Sequence, residues 1–359
     1  MHLDWSAMPT LRQFFRLTTL MLVAALLLAA CSSDDSPAAT TTRAPVADSP
    51  RWEQVRFDGG PGARRDATLV HDSAGKRLIL FGGRAGGQGL NDTWSFDIGS
   101  SRWTKVADGA SGPSARWGHV AVFDTKRSQM VVFSGQSSSG FFNDVWAFNP
   151  STNQWREVNA AGSKPPTRYG SCAAYDGEAD VIYISHGFTN SGRFDDTWAF
   201  DLATSQWRDL TASGAKPIKR CLHRCAFDLE SKSVVLFGGQ SNETPILGDL
   251  WRFNPATGTW AETPAGATKP SPRFFSELQA DPAASRFVVF GGFTQSGTVN
   301  DVWTFGASSG WSAVTIAAPA PEARQSHAGA TDVFGRSVYI FAGAGSTGDL
   351  SDMWRLRLK

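Results

Sequence analysis

The residues able to bind a metal, move a proton or attack a substrate are few in this 359-residue chain: four cysteines, six histidines and four tyrosines. His119, His223 and His327 recur at equal intervals of 104 residues. Three imidazoles turned toward one axis could hold a metal ion. The competing reading, a strand-start histidine bonded to neighbouring backbone, suits a repeated position better, so no metal is expected. His71 and His186 have no partner that the sequence identifies. Cys221 and Cys225 lie four apart on a strand, about 13 Å, too far to bridge each other. Cys172 and Cys225 fall in adjacent repeats at positions of opposite parity, so one can point at the other. Either they form a disulfide or all three cysteines are small buried thiols. No catalytic constellation emerges, no cofactor is expected, and catalysis is the secondary expectation.

These residues are carried by a unit that occurs six times. It runs Pro113-x-x-Arg116-Trp117-Gly118-His119, an alternating apolar stretch to Asp124, then Val131-Val132-Phe133-Ser134-Gly135. Asn143-Asp144-Val145-Trp146-Ala147-Phe148 and Trp155-Arg156-Glu157-Val158 complete it. Copies begin at Arg64, Arg116, Arg168, Arg220, Arg273 and Arg324. A period near 50 residues with four short β-type runs is the signature of a propeller blade. Arg51-Trp52-Glu53-Gln54-Val55 reads as a fourth strand without its first three, and the last copy stops after Asp352-Met353-Trp354 without a fourth. The expected fold is therefore all-β, a six-bladed propeller over residues 51–359 whose last blade is closed by the N-terminal strand.

These motifs resemble the kelch family: a hydrophobic run ending in Gly-Gly, then Asn/Asp-Asp-x-Trp-x-Phe, then a spaced Trp. The resemblance includes the central domain of galactose oxidase. It implies a binding or interaction module, with three kelch-type enzymes as comparisons. The tyrosine and histidine copper ligands of galactose oxidase, with their cross-linked Tyr–Cys pair, find no match in Tyr169, Tyr175, Tyr183 and Tyr339. The iron motif of plant nitrile-specifier proteins, Glu-x-x-x-Asp-x-x-x-His, is met by Glu277 and Asp281 but ends on Ser285. Sialic-acid mutarotases, exported kelch propellers marked by no short motif, stay as the enzyme alternative.

The first thirty residues are set apart. Arg12 and Arg16 precede an apolar run, Leu17 to Ala30, too short to span a bilayer. Its end, Leu28-Ala29-Ala30-Cys31, resembles a bacterial lipoprotein signal in which Cys31 is lipidated. Residues 31–50 lack the apolar content to fold and read as a tether. The expectation is a propeller anchored by lipid in a bacterial cell envelope, facing periplasm or exterior. From totals of 34 basic and 33 acidic residues, setting aside Arg12, Arg16 and Asp4 leaves 32 of each. Nucleic acid is thus not an expected partner, because phosphate contacts need a basic footprint. The partner is expected to be a protein or glycan, and the chain a monomer.

A residue kept for a ligand should break the sixfold pattern. The position after each repeat arginine holds Arg65, Trp117, Tyr169, Cys221, Phe274 and Gln325. The position after each Gly-Gly pair holds Arg84, Gln136, Phe188, Gln240, Phe293 and Ala344. In a propeller both sets belong to one rim around the channel, where Trp117, Tyr169, Phe188, Phe274 and Phe293 with Arg65, Arg84, Gln136 and Gln240 could stack a sugar or grip a peptide. Trp117 is expected to stand clear of the core and Trp146 to be a core anchor. The repeated arginines are expected to bond loop carbonyls, and the repeated Asp to accept backbone N–H groups.

Overall fold

The computed structural model describes residues 49–264 and 266–358. The readings of residues 1–30 as a signal, of Cys31 as a lipidation site and of the tether up to residue 48 lie outside the described residues. Ala47–Lys359 forms one compact unit, and six four-stranded antiparallel sheets build it.

Blade 1 comprises Thr68–Asp72, Arg77–Phe81, Thr93–Asp97 and Arg102–Ala107; blade 2 comprises Val120–Asp124, Gln129–Phe133, Val145–Asn149 and Gln154–Glu157. Blade 3 comprises Cys172–Asp176, Val181–Thr189, Gly192–Asp201 and Gln206–Asp209; blade 4 comprises Arg224–Asp228, Ser233–Gly239, Leu247–Asn254 and Thr259–Thr263. Blade 5 comprises Glu277–Asp281, Arg286–Thr294, Gly297–Gly306 and Gly310–Val314. Blade 6 takes Ala328–Asp332, Ser337–Phe341 and Met353–Arg357 from the end of the chain, and its outermost strand is Arg51–Val55 from the start. Arg51 pairs with Arg357 and Val55 with Met353. Glu53 receives charged hydrogen bonds from Arg355 and Arg357 across this seam. The ring is closed as the repeat count implies.

The core lies between blades, because each sheet buries both faces against its neighbours. The outer-strand tryptophan of one blade covers the second-strand phenylalanine of the blade before it: Trp155 on Phe81 at 4.8 Å, Trp311 on Phe237 at 4.9 Å, Trp52 on Phe290 at 4.9 Å. Trp103 on Phe341 and Trp207 on Phe133 do the same. Between blades 3 and 4 the phenylalanine is replaced by Ser185, and the space is taken by His186 and the Cys172–Cys225 disulfide, with Cα atoms 5.4 Å apart. Cys221 is a buried free thiol. His119, His223 and His327 do not converge. They pack edge-on against Phe81, His186 and Phe290 of three different blades.

The repeat arginine and aspartate form one unit. Arg116 is fully buried and donates from Nε to the Ser114 carbonyl and from Nη1 to the Ser134 carbonyl, both at 3.1 Å. Its fork holds both oxygens of Asp144 at 2.7 and 2.8 Å. The Trp146 indole donates to the same carboxylate at 2.8 Å. The arrangement recurs at Arg64–Asp92, Arg168–Asp196, Arg220–Asp249, Arg273–Asp301 and Arg324–Asp352. The carbonyl that meets each guanidinium belongs to a residue with positive φ, such as Gly82 (62°) or Ser134 (65°), which turns it out of the strand. The carbonyl bonds are as expected, whereas the aspartates serve guanidinium and indole rather than loop N–H groups. Burial alone would raise the Asp144 carboxyl, but Arg116 outweighs it and holds the pKa below its ordinary value.

Candidate functional site

Six innermost strands enclose a central channel of about 840 Å³. At the end where these strands begin, a collar of backbone closes around it. Asp66, Gly118, Gly170, Leu222, Phe275 and Ser326 each donate their N–H to the carbonyl of the same position one blade back, at 2.7–3.0 Å, until Asp66 completes the circle on Ser326. Neighbours held at hydrogen-bonded strand spacing make a ring roughly 10 Å across between backbone atoms. All six have positive φ, from 53° to 64°. Glycine is required at two of them: a Cβ on Gly118 would lie 2.0 Å from the Tyr169 ring, and one on Gly170 would lie 2.7 Å from Leu222. Leu222 and Phe275 are bulky residues in the same left-handed region, a conformation that costs about 1–3 kcal/mol each and persists only where surroundings enforce it.

Outside the collar stands the rim. The two sets of non-repeating residues face each other across antiparallel bridges, one per blade: Arg65 with Arg84, Trp117 with Gln136, Tyr169 with Phe188, Cys221 with Gln240, Phe274 with Phe293 and Gln325 with Ala344. All nine residues singled out from the sequence therefore sit on one ring. Their character divides it. Blades 6 and 1 carry charge, with Arg84 on Asp66 at 2.8 Å and Arg65 on Asp349 at 3.2 Å. Blades 3 and 5 carry aromatics. Phe188 meets Phe141 at 6.1 Å and lies under Arg193 at 5.5 Å, and Phe274 meets Phe293 at 5.3 Å. Arg193 also reaches Gln240 at 3.1 Å and touches Asn242. Burial pushes the Tyr169 phenol well above its ordinary pKa, so it stays a neutral donor.

Trp117 departs from expectation. It is only 7% exposed, with Arg84 5.7 Å above its ring and Gly89 against its edge. Trp146, expected in the core, is only half-buried. Its indole N–H serves Asp144, so its place is at the sheet's rim-side end.

The channel wall holds a polar group that the search for rim residues missed. Arg224 Nε lies 3.4 Å from Glu277, whose other oxygen accepts from Gln279 at 2.5 Å. Gln279 in turn accepts from Thr331 at 3.0 Å. On the blade 1 side, His71 stands 3.7 Å from Asp332. Burial raises the Glu277 carboxyl, opposed by the loosely held Arg224. The signal was in the sequence. The position four after each arginine reads Thr68, Val120, Cys172, Arg224, Glu277 and Ala328, and only blades 4 and 5 charge it.

The family described as the KLHDC2/KLHL20/DRC7 Kelch-repeats domain matches residues 34–239 and 206–359. Among curated relatives, Kelch domain-containing protein 10 of Xenopus laevis is 27% identical over 250 residues, covering 66% of this chain and 58% of that protein. Putative adagio-like protein 2 of Oryza sativa subsp. japonica is 28% identical over 243 residues, covering 61% of this chain and 37% of that protein. Adagio-like protein 1 of the same plant is 30% identical over 243 residues, with the same shares. The chain thus spans about two fifths to three fifths of the length of the relatives it matches. With the blade motif, the closing strand and the family match together, the chain belongs to the kelch-repeat family.

Proposed function

We propose that this kelch propeller is a lipid-anchored module of a bacterial cell envelope that binds a protein or glycan through its channel-mouth rim. A kelch propeller serves in general as a protein-binding module. The observation that carries the finer reading is the segregation of residues. What builds blades recurs six times and is largely buried, whereas the rim bridges differ in every blade and leave Phe188, Phe274 and Phe293 partly exposed, with Tyr169 packed more deeply beside them. Aromatic faces next to Arg84 and Arg193 suit a sugar ring or an extended peptide. Lipidation at Cys31 and export rest on the signal motif alone.

Glycan and peptide arrays probed with residues 49–359 test the rim. The expected result is a ligand whose affinity falls about tenfold or more in Phe274→Ala or Phe188→Ala, with unchanged melting. A ligand indifferent to both substitutions overturns the rim assignment. Cys31→Ser should shift most of the protein from the detergent-extracted to the salt-washable fraction, and continued detergent-only extraction counts against the anchor. A second reading, a sugar-acid isomerase of the mutarotase type, is favoured by Arg224, Glu277 and Gln279, which together offer an anion contact and a protonatable carboxyl. It requires an anomerisation rate, followed by nuclear magnetic resonance, that Glu277→Gln abolishes.

A further inference from the structure

The face opposite the rim is asymmetric. Each blade ends there in the turn between its first and second strands. Blades 1 to 3 put polar tips at that face, with Ser73 and Lys76, Lys126 and Arg127, and Glu178. Blades 4 to 6, which are contiguous, add apolar residues: Leu229, 53% exposed, beside Glu230, Ser231 and Lys232; Ala283 and Ala284; and Val333 and Phe334, the last 83% exposed. Among the described residues four large hydrophobics are exposed, and three of them stand on this one arc. Leu229, Val333 and Phe334 line the mouth of the channel at this face, yet much of their surface faces water. A Phe ring held at a turn tip with most of its surface in water is unfavourable unless something covers it.

The chain enters the propeller at the same place. Arg51 pairs with Arg357, Arg357 with Ser337, and Ser337 with Asp332, so the four stand in one row at the end of blade 6 beside Val333 and Phe334. Arg51, the first residue of the closing strand, therefore stands at the turn-tip end of blade 6, while the rim lies at the opposite ends of the same strands.

We propose that this apolar arc rests on the lipid surface, with Phe334, Val333 and Leu229 in the interface and the rim turned away from it. The proposal rests on the lipid-anchor reading for its biological setting, but the surface itself is independent of the anchor. Lys76 of blade 1 borders the arc and Arg336 of blade 6 stands within it, and both suit anionic headgroups. Of the acidic turn residues, Glu178 is paired with Lys232 and Asp180 with Arg127, and Glu230 stands as the opposing charge. The interface takes turn tips, not strands, so no backbone hydrogen bond is lost on docking.

The test uses vesicles of mixed phosphatidylethanolamine and phosphatidylglycerol and reads two things. In the lipidated chain, nitroxide labels at Phe334→Cys and at Gln88→Cys on the rim side are compared for exposure to a water-soluble paramagnetic nickel chelate. The label at 334 should be shielded in vesicle-bound protein and the one at 88 fully exposed; equal exposure overturns the proposal. In the unlipidated Cys31→Ser chain, flotation should persist weakly and fall about fivefold or more when Phe334→Ser and Leu229→Ser are combined. Absence of any vesicle binding by Cys31→Ser, or binding indifferent to those substitutions, also overturns it. If the parent chain itself gains nothing from Cys31, the anchor fails while the arc is still judged by the second arm. Should Phe334→Ser instead split a dimer in light scattering, the arc is covered by a second copy and the lipid assignment is wrong.

Discussion

Removing Asp144 and removing Arg116 break the same ion pair, yet the structure makes the two losses unequal. Arg116 is wholly buried, whereas about a quarter of the Asp144 side chain faces water (0% and 24% exposed). Asp144→Ala strands a guanidinium that cannot shed its proton in a place without solvent. The cost sits at the upper end for a broken buried pair, about 5 kcal/mol. Arg116→Met leaves two carbonyls and a carboxylate that water can reach, and fills the slot over Phe142, where the guanidinium now lies 4.0 Å from the ring. That loss sits at the lower end, about 3 kcal/mol. The double variant Arg116→Met/Asp144→Leu leaves no stranded charge and should cost at least about 2 kcal/mol less than the sum of the singles. Urea unfolding of residues 49–359, followed by tryptophan fluorescence with the slope checked for constancy, measures all three. Additivity within about 0.5 kcal/mol, or an Asp144→Ala variant more stable than Arg116→Met, would refute the reasoning.

Deleting Arg51–Arg56 should leave the third strand of blade 6 as an open edge and uncover Phe290, so the variant should aggregate or melt far below the parent; melting within two or three degrees counts against closure by this strand. Lowering the pH should weaken the fold before the paired repeat aspartates titrate. Burial depresses His119 and His186 to about 3, whereas the unfolded chain takes up the proton near 6.5. A depressed folded pKa gives stability present above the unfolded value and lost as pH falls. Each histidine should thus cost about 2 kcal/mol between pH 7 and pH 5, where the paired aspartates, all with pKa values held low, remain charged. A urea midpoint unchanged over that range would show that these imidazoles are protonated in the fold. Thiol titration of denatured, unreduced residues 49–359 should find one reactive cysteine, Cys221; three would mean that Cys172 and Cys225 are not bonded.

Where the chain repeats, the sequence was readable to the level of single strands. Six copies average out the accidents of any one, and the orphan N-terminal strand could be matched because its five siblings were known. What escaped were relations across 28 or 29 residues. Arg116 and Asp144 were each recognised as repeating positions, but nothing local says that one is the other's counter-ion. Burial was misjudged for a related reason. Trp117 looked exposed because it lacked siblings, yet the loop from Gly83 to Leu90 folds over it and Arg84 caps it. Trp146 looked like core because it had siblings; it does pack against the cluster of Phe81, Phe148 and Trp155, but only partly buried, and its N–H bonds a carboxylate. The channel cluster of Arg224, Glu277 and Gln279 was missed because singularity was sought at the rim and not along the first strand.

The seam in blade 6 joins residues more than 300 positions apart, as in the pair Glu53 and Arg355. Blades 1 to 5 can each assemble as soon as about fifty residues have left the ribosome, but the sixth sheet cannot exist until Met353–Arg357 has been made. Until then the strand made first waits unpaired and the flanks of blades 1 and 5 stay uncovered. Loss of a short piece from the end would therefore not yield a slightly smaller propeller but a ring that never shuts, with apolar flanks for quality-control proteases to find. The seam makes the completed ring a report that the chain has been made through Arg357.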